Sequence, residues 1–196
     1  MKHAFLITAL AVALPLAGAV ALADPVAQAG HAKGDVAAFH GTAESLPDAI
    51  MKVEGATGAK VVDIRFDDSS GIPGYHIVLD RGGTVEFMHL DAPTGRLVTI
   101  ETTAVPRWML SWRNRAELRA AETATVPLAQ AIVTAERDDG NAPAVAAGIA
   151  RSAANPQSDV HAYNVLIERG GQAYRKAVDS ATNQVIADAG ALSDYP

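Results

Sequence analysis

The chain has 196 residues, a formal net charge of −6 and no cysteine. A net negative charge gives no general attraction to phosphate backbones or anionic lipid, so nucleic-acid binding is not expected. The absence of cysteine excludes disulfides and thiolate metal sites, and a lipid-modified cysteine is not expected either.

The first 23 residues have the pattern of a secretory signal peptide. Lys2 precedes an apolar run that begins at Ala4, and Ala21-Leu22-Ala23 places small residues as at a signal-peptidase site. We therefore expect cleavage before Asp24 and a periplasmic or secreted protein that keeps no stable membrane span. The alternative is an uncleaved anchor, because residues 4–23 are about long enough to cross a bilayer.

A flexible leader is predicted next, over residues 24–43, because Ala, Gly, Gln and Lys dominate and apolar periodicity is weak. A helix is expected to begin at Ser45, which can cap it with Asp48 as an acidic capping-box partner. Apolar residues at helical spacing follow, and the helix should end near Gly55 or Gly58. These apolar residues are Leu46, Ile50 and Val53.

The apolar period then changes from about 3.6 to 2, which indicates β-strands. Strands are predicted over residues 60–66, 75–81, 84–91 and 96–102. Gly82-Gly83 has the composition of a two-residue hairpin turn between the second and third of them. This half of the chain therefore predicts a helix followed by an antiparallel meander.

The second half of the chain repeats the first. A block that contains Tyr75, Gly82-Gly83 and Asp91 recurs 88 residues later, with Tyr163, Gly170-Gly171 and Asp179. Upstream, Leu46, Ala49, Ile50 and Glu54 recur 82 residues later as Leu128, Ala131, Ile132 and Glu136. Such self-similarity indicates two copies of one supersecondary unit. The six-residue difference predicts an insertion in the second copy, between residues 148 and 160.

The repeated unit resembles the PepSY domain. The resemblance rests on Leu46-Pro47-Asp48-Ala49-Ile50, Tyr75, Gly82-Gly83 and Asp91-Ala92-Pro93-Thr94-Gly95, and the second copy has Asn183 where the pattern has Gly. The expected fold is α+β, with two tandem PepSY-like units, each a helix packed on a small antiparallel β-meander. The units would span residues 44–103 and 125–190, joined by a helical linker over residues 104–124.

The resemblance also implies a function. PepSY domains occur in propeptides of thermolysin-like metallopeptidases, where they are associated with inhibition, and in exported or membrane proteins. We therefore expect a non-enzymatic binding or regulatory module, peptidase-inhibitory or sensory, whose partner is another periplasmic or membrane protein, a peptidase among the candidates. The residues agree, because no nucleophile elbow, H-E-x-x-H helix or Walker-type loop is present. No cofactor is expected.

Two histidines suggest an alternative function. If Gly82 and Gly83 form the hairpin turn, the register places His76 directly opposite His89. Two adjacent imidazoles could hold a metal ion or a haem iron. The second copy has Asn164 and Ala177 at these positions, so the pair does not belong to the repeated framework. Solvated or hydrogen-bonded surface histidines are the other interpretation.

The linker is the second candidate site. Residues 105–122 are predicted to form a helix that opens with Pro106 and places both tryptophans on one face. One interpretation is that the tryptophans fill the seam between the units, and the other is that they anchor a partner with the neighbouring arginines. The candidate partner-binding residues are Arg107, Trp108, Trp112, Arg113 and Arg115.

Overall fold

The computed structural model describes residue 39 and residues 44–67, 73–151 and 161–191. Side chains are described for all of these except residues 99–103, 112–114, 150–151 and 189–191. The predicted signal peptide and cleavage site, over residues 1–24, lie outside the described residues. In the predicted leader, Phe39 is buried and its ring packs edge-on against Phe66, with centroids 5.4 Å apart, so the chain is packed at this residue.

Three α-helices, eight β-strands and a 3-10 turn make up the described part of the chain. The helices are α1 (Leu46–Thr57), α2 (Trp112–Thr123) and α3 (Leu128–Asp138), and the 3-10 turn is Arg107–Met109. The strands of the first half are β1 (Lys60–Asp67), β2 (Gly74–Asp80), β3 (Thr84–Asp91) and β4 (Leu97–Pro106). Those of the second half are β5 (Ala144–Arg151), β6 (His161–Arg169), β7 (Gln172–Asp179) and β8 (Val185–Ala191).

All eight strands form one antiparallel sheet in the order β4-β3-β2-β1-β5-β6-β7-β8. From the central pair to the edges, the strands follow in chain order on each side, β1 to β4 on one side and β5 to β8 on the other. The two halves of the sheet are therefore related by an approximate two-fold axis. The axis passes through the pairing of β1 with β5, where Ile64 lies opposite Ala147. Both residues are fully buried.

The expected fold of two helix-on-meander units is therefore wrong. The strands do not form two small meanders but one continuous sheet, and the chain is richer in β-structure than that fold implied. The physical reason lies in β1 and β5, which would be edge strands in separate units. Unpaired edge strands expose backbone groups and apolar side chains, and pairing them with each other removes both exposed edges.

Helices α1 and α3 lie on the same face of the sheet and contact each other. Ser45 caps α1 by accepting from the N–H of Asp48, and Gly58 ends it with a φ of 67°. The buried residues of α1 are the predicted Leu46, Ile50 and Val53, with Pro47 and Ala49 added. Tyr75 and Tyr163, near the starts of the matched strands β2 and β6, point toward this helical layer and are fully buried.

Helix α2 lies on the opposite face. The carbonyl of Ala121 accepts a hydrogen bond from Nζ of Lys60, and Lys60 pairs with Asp80 on the face that α1 leaves open. α2 also packs against β5, whose residues 144–149 are all buried because helices cover both of its faces. The segment that was expected to link two units thus contributes to the core, with Leu118 fully buried.

The expected single helix over residues 105–122 is wrong at its start. Pro106 ends β4 by pairing with Thr84, and the N–H of Arg107 donates to the carbonyl of Gly83 at 2.8 Å. These contacts hold residues 105–107 beside the β2–β3 hairpin and keep them out of the helix. Trp108 therefore lies in the 3-10 turn, whereas Trp112 begins α2, and the two do not share one helix.

Matched residues of the two halves make matched hydrogen bonds. In each half, a glutamate of the helix accepts a hydrogen bond from a backbone N–H at the start of a central strand. An acidic residue accepts one from the N–H of the second hairpin glycine. An aspartate accepts one from a backbone N–H of the turn that it caps. The pairs are Glu54 with Val61 and Glu136 with Ala144; Asp80 with Gly83 and Glu168 with Gly171; Asp91 with Thr94 and Asp179 with Thr182.

The extra residues of the second half are divided between two places. The carboxylate of Glu54 accepts a hydrogen bond from the N–H of Val61, seven residues later in the chain, whereas that of Glu136 accepts one from Ala144, eight residues later. One extra residue of the second half therefore lies between α3 and β5. The remaining extra residues lie between β5 and β6, where residues 152–160 are outside the described part. The prediction that all six fall between residues 148 and 160 is therefore wrong by one residue.

Candidate functional site

His76 and His89 lie directly opposite each other on β2 and β3, so the predicted register is confirmed. The register follows from the hairpin, where Gly82 and Gly83 both have positive φ and Arg81 and Thr84 exchange hydrogen bonds. The two imidazole centroids are 5.1 Å apart, with ring planes at 80°. The rings project from the face of the sheet opposite α1.

The two histidines differ in exposure and in hydrogen bonding. His89 is 5% exposed, and neither of its ring nitrogens has a hydrogen-bond partner among the described residues. The side chain of His76 is 31% exposed, and its Nε2 lies 3.4 Å from Oδ2 of Asp67 on β1. His76 therefore has a carboxylate beside it, whereas His89 is buried with its polar atoms unsatisfied.

Burial lowers the pKa of both imidazoles. For His76 the negative charge of Asp67 opposes this effect, and the positive charges of Arg65 and His89 add to it. For His89 burial is again the largest cause, and the carboxylates of Asp91 and Asp67 oppose it. The lowered pKa of each ring favours its neutral form, in which an imidazole nitrogen binds a metal.

A glycine makes room for the ring of His89. Gly74 lies two residues before His76 on the same face of β2, and a Cβ at this position would be 2.3 Å from Nε2 of His89. Asp67 pairs with Gly74 across β1 and β2. The ring of His89 thus lies over Gly74, next to the side chains of Asp67 and His76.

The 3-10 turn presents a second group of candidate residues. Trp108 is 74% exposed and Met109 is 47% exposed, so both project into solvent at the end of β4. Leu110 follows and is buried. The interpretation that Trp108 fills an internal seam is therefore wrong, because the 3-10 turn that follows β4 holds its side chain in solvent and not in the core.

Arg107 stabilises the turn. Its Nη2 lies 2.6 Å from Oδ2 of the buried Asp80 and 2.8 Å from Oε1 of Glu122 at the end of α2. A guanidinium placed between two carboxylates is positioned by them. Arg107 thus joins β2 to α2, and its contact with a partner stays a prediction.

The other predicted residues of this group have mixed positions. Arg115 is half-buried, and its Nη1 lies 3.5 Å from the carbonyl of Trp108, so it supports the turn from α2. Trp112 and Arg113 begin α2, and their side chains are outside the described ones. Sequence reasoning missed two residues of these sites. Met109 was missed at the exposed turn, although it follows Trp108 directly. Asp67 was missed as the neighbour of His76, although the pairing of β1 with β2 could have indicated it.

No three His, Cys, Asp or Glu side chains within the described ranges are grouped so that they already form a metal site. No helix in the described part of the chain is long and apolar enough to cross a membrane. The histidine pair is therefore a candidate site with two imidazoles and one adjacent carboxylate, and with no third ligand in place.

Known proteins similar to this chain do not assign a function to the site. No protein-family model and no curated protein matches the chain. The crystal structure of a "putative lipoprotein" from Clostridium difficile 630 is similar, with a TM-score of 0.44 and 18% identity over 75% of this chain and 93% of that one. The resemblance to the PepSY family therefore rests on the quoted sequence motifs alone.

Proposed function

We propose that the protein is an exported binding module that recognises another protein through the surface around Trp108. The observation that carries this proposal is the 74% exposure of Trp108, next to a second exposed apolar residue, Met109. Tryptophan is highly buried on average in folded proteins, and it is enriched among the residues that dominate binding energy at interfaces. An exposed tryptophan with an apolar neighbour is suited to fill a pocket on a partner.

The turn that presents Trp108 is held in place before any partner binds. The guanidinium of Arg107 bridges Asp80 and Glu122, and the N–H of Leu110 donates to the carbonyl of Arg107 at 3.1 Å. Association costs less conformational entropy when the contacting residues are already ordered. The contacts therefore favour Trp108 as a preorganised anchor.

The charge of the surrounding segment indicates what kind of partner it suits. Apart from Arg107, which is already paired with Asp80 and Glu122, residues 107–119 contain three arginines and one glutamate, whereas the whole chain has a formal net charge of −6. Such a local positive region attracts an acidic surface and repels a basic one. The proposed partner is therefore a protein with an acidic rim around an apolar pocket.

The more specific parts of this proposal, export and an effect on a peptidase, rest on the sequence alone. Export rests on the signal-peptide pattern of residues 1–23, and peptidase inhibition or sensing rests on the resemblance to the PepSY family. A peptidase with an acidic surface near its active site is the partner that would unite these expectations with the Trp108 surface.

The test begins by capturing proteins from the periplasmic fraction of the source bacterium on the immobilised chain. A captured protein is then purified, and its Kd is measured for the wild type and for Trp108→Ala. Loss of a hot-spot side chain costs about 2 kcal/mol or more, so the Kd should rise about 30-fold. If the captured protein is a peptidase, its hydrolysis rate should fall when the wild-type chain is added.

The matched control is Ile186→Ala, which removes an exposed apolar side chain from the edge strand β8. This variant should bind within about two-fold of the wild type, because Ile186 lies in the other half of the sheet. Equal Kd values for the wild type and Trp108→Ala would contradict the proposal. A comparable loss for Ile186→Ala would show that binding is not centred on Trp108.

A further inference from the structure

The least explained group in the described part of the molecule is the imidazole of His89. A neutral imidazole carries one N–H donor and one acceptor, and buried polar atoms are almost always hydrogen-bonded. Both ring nitrogens of His89 are buried, and neither has a partner among the described residues. A ligand that binds an imidazole nitrogen would satisfy one of these two atoms.

The second half of the sheet shows that the arrangement is not needed for folding. The positions that match Gly74, His76 and His89 hold Ala162, Asn164 and Ala177, and all three are buried. The same strands pair in the same way without either histidine. The small Gly74 and the imidazole of His89 therefore occur together in one half and are absent together from the other.

The separation of the two rings distinguishes between kinds of ligand. Two imidazoles bound at neighbouring corners of a tetrahedral metal ion, with metal–nitrogen bonds of about 2.0–2.1 Å, have centroids about 5 Å apart. Two imidazoles on opposite sides of a haem iron have centroids about 6 Å apart. The observed 5.1 Å agrees with two ligands on one small ion and is too short for a haem held between the rings.

The neighbouring carboxylate is placed as it is in many metal sites. A histidine that binds a metal through one ring nitrogen usually donates its other N–H to a carboxylate, which fixes the orientation of the ring. Oδ2 of Asp67 lies 3.4 Å from Nε2 of His76, within reach of this role. Nδ1 of His76 is then the nitrogen left for the metal.

We propose that His76 and His89 chelate one divalent late transition-metal ion, with Zn²⁺ and Cu²⁺ as the best candidates, and that Asp67 positions the ring of His76. Imidazole nitrogens are suitable ligands for these ions, whereas Mg²⁺ and Ca²⁺ prefer oxygen ligands. Because two imidazoles are the only ligands that the described residues supply, water completes the coordination, and the ion stays accessible to a further ligand. The site is independent of the Trp108 surface.

The experiment uses the full, tag-free chain, freed of metal and titrated with Zn²⁺ in a calorimeter and with Co²⁺ in a spectrophotometer. The wild type should bind one ion at this site and give the intense visible absorption of tetrahedral Co²⁺. His76→Ala and His89→Ala should each raise the Kd at least tenfold and lose that absorption. Asp67→Asn should raise the Kd about tenfold, the lower end of the effect of removing such a carboxylate.

Two controls separate the site from other histidines. His161→Ala removes a half-exposed histidine of β6, and the double variant His31→Ala/His40→Ala removes the two histidines between the expected cleavage site and Ser45. Both should leave the Kd unchanged. Circular dichroism of the metal-free variants shows whether they fold. If His89→Ala does not fold, the comparison of the wild type with His76→Ala tests the proposal. Equal binding by the wild type and a folded His76→Ala, or a full loss of binding in either control, would overturn the proposal.

Discussion

Tyr75 and Tyr163 occupy equivalent positions in the two halves and make the same hydrogen bond. The hydroxyl of Tyr75 donates to the carbonyl of Glu44, just before α1, and that of Tyr163 donates to the carbonyl of Val126, just before α3. Each tyrosine thus fastens the start of a helix to the strand beneath it. The shared contact explains why the tyrosine is kept in both halves although the histidines are not.

Removing either hydroxyl should weaken the fold. Tyr75→Phe and Tyr163→Phe each delete a hydrogen bond and leave a carbonyl without this donor, so each should lower the free energy of unfolding by about 1 kcal/mol. Urea denaturation followed by circular dichroism measures the change. A variant as stable as the wild type would show that the hydroxyl is not required to fasten that helix.

Alkaline pH should destabilise the protein through Tyr163. Burial, aided by the charge of Glu54, raises the pKa of Tyr163 to about 12, from 10.0 for an unperturbed tyrosine. Above pH 10 the unfolded chain therefore loses this proton while the folded chain keeps it. The free energy of unfolding should fall between pH 10 and 12, by up to about 2–3 kcal/mol.

The control for this pH effect is Tyr163→Phe, which cannot ionise at this position. Lysines and other tyrosines titrate in both proteins, so the difference between the two stability curves isolates Tyr163. The curves should approach each other and then cross as the pH rises, because the loss of up to about 2–3 kcal/mol in the wild type exceeds the roughly 1 kcal/mol that the substitution costs. Parallel curves between pH 10 and 12 would mean that Tyr163 ionises equally in both states.

Lys176 forms a buried ionic cluster that the first half of the sheet lacks. Its side chain is 3% exposed, and Nζ lies 2.8 Å from Asp138, 3.1 Å from Asp188 and 3.4 Å from Asp139. Lys176→Ala should lower the free energy of unfolding by about 3 kcal/mol, the low end for breaking a buried ion pair, because Asp138 and Asp188 remain half-exposed and hydrated.

Lys176→Met is the informative comparison, because the matching residue of the first half is Met88. The thioether refills the space that alanine leaves empty, so the loss should be smaller than for Lys176→Ala. Thermal denaturation of the two variants measures the difference. If both variants are as stable as the wild type, the cluster contributes nothing to folding.

Gly74 and His89 should be energetically coupled. Gly74→Ala places a Cβ 2.3 Å from Nε2 of His89 and 2.5 Å from the carbonyl of Leu90, so it should cost about 1–3 kcal/mol of stability. Adding His89→Ala recreates the Ala162 and Ala177 pair of the second half. The double variant should recover part of that cost in a double-mutant cycle. Strict additivity of the two single changes would show that the ring does not require Gly74.

Trp108 should contribute little to stability. Because it is 74% exposed, Trp108→Ala should change the free energy of unfolding by no more than about 0.5 kcal/mol. The neighbouring Leu110 is 5% exposed, and Leu110→Ala should cost about 2–5 kcal/mol. Chemical denaturation of the two variants provides the comparison. A large loss for Trp108→Ala would mean that the side chain is packed in the protein and is not free to bind a partner.

Local sequence signals predicted the individual elements well. The glycine pair of each hairpin fixed the register, which is why the pairing of His76 with His89 could be predicted from Gly82 and Gly83. Alternation along β1 predicts that Val62, Ile64 and Phe66 share one face and Val61 the other, yet Val61 is buried too because a bulge follows it at Val62. A bulge shifts the alternation of side chains by one residue and has no clear signature in the sequence.

The relationships between distant segments could not be predicted in this way. The pairing of β1 with β5 joins residues about 80 positions apart, and no local pattern specifies which edge strand meets which. The position of Trp108 outside the helix was not predicted for a similar reason, because helical spacing alone predicted a helix through residues that β3 holds in a strand. The unsatisfied nitrogens of His89 depend on the packing around Gly74, which only the structure shows.

The pairing of Ile64 with Ala147 on the approximate two-fold axis bears on how such a chain can arise. Two identical copies of one half could pair their first strands about the same axis and build the same eight-stranded sheet as a homodimer. Such a dimer dissociates on dilution, whereas a single chain does not. Once the copies are fused, their sequences are free to diverge. A pair of histidines in one half and a lysine cluster in the other are differences that a symmetric dimer could not have.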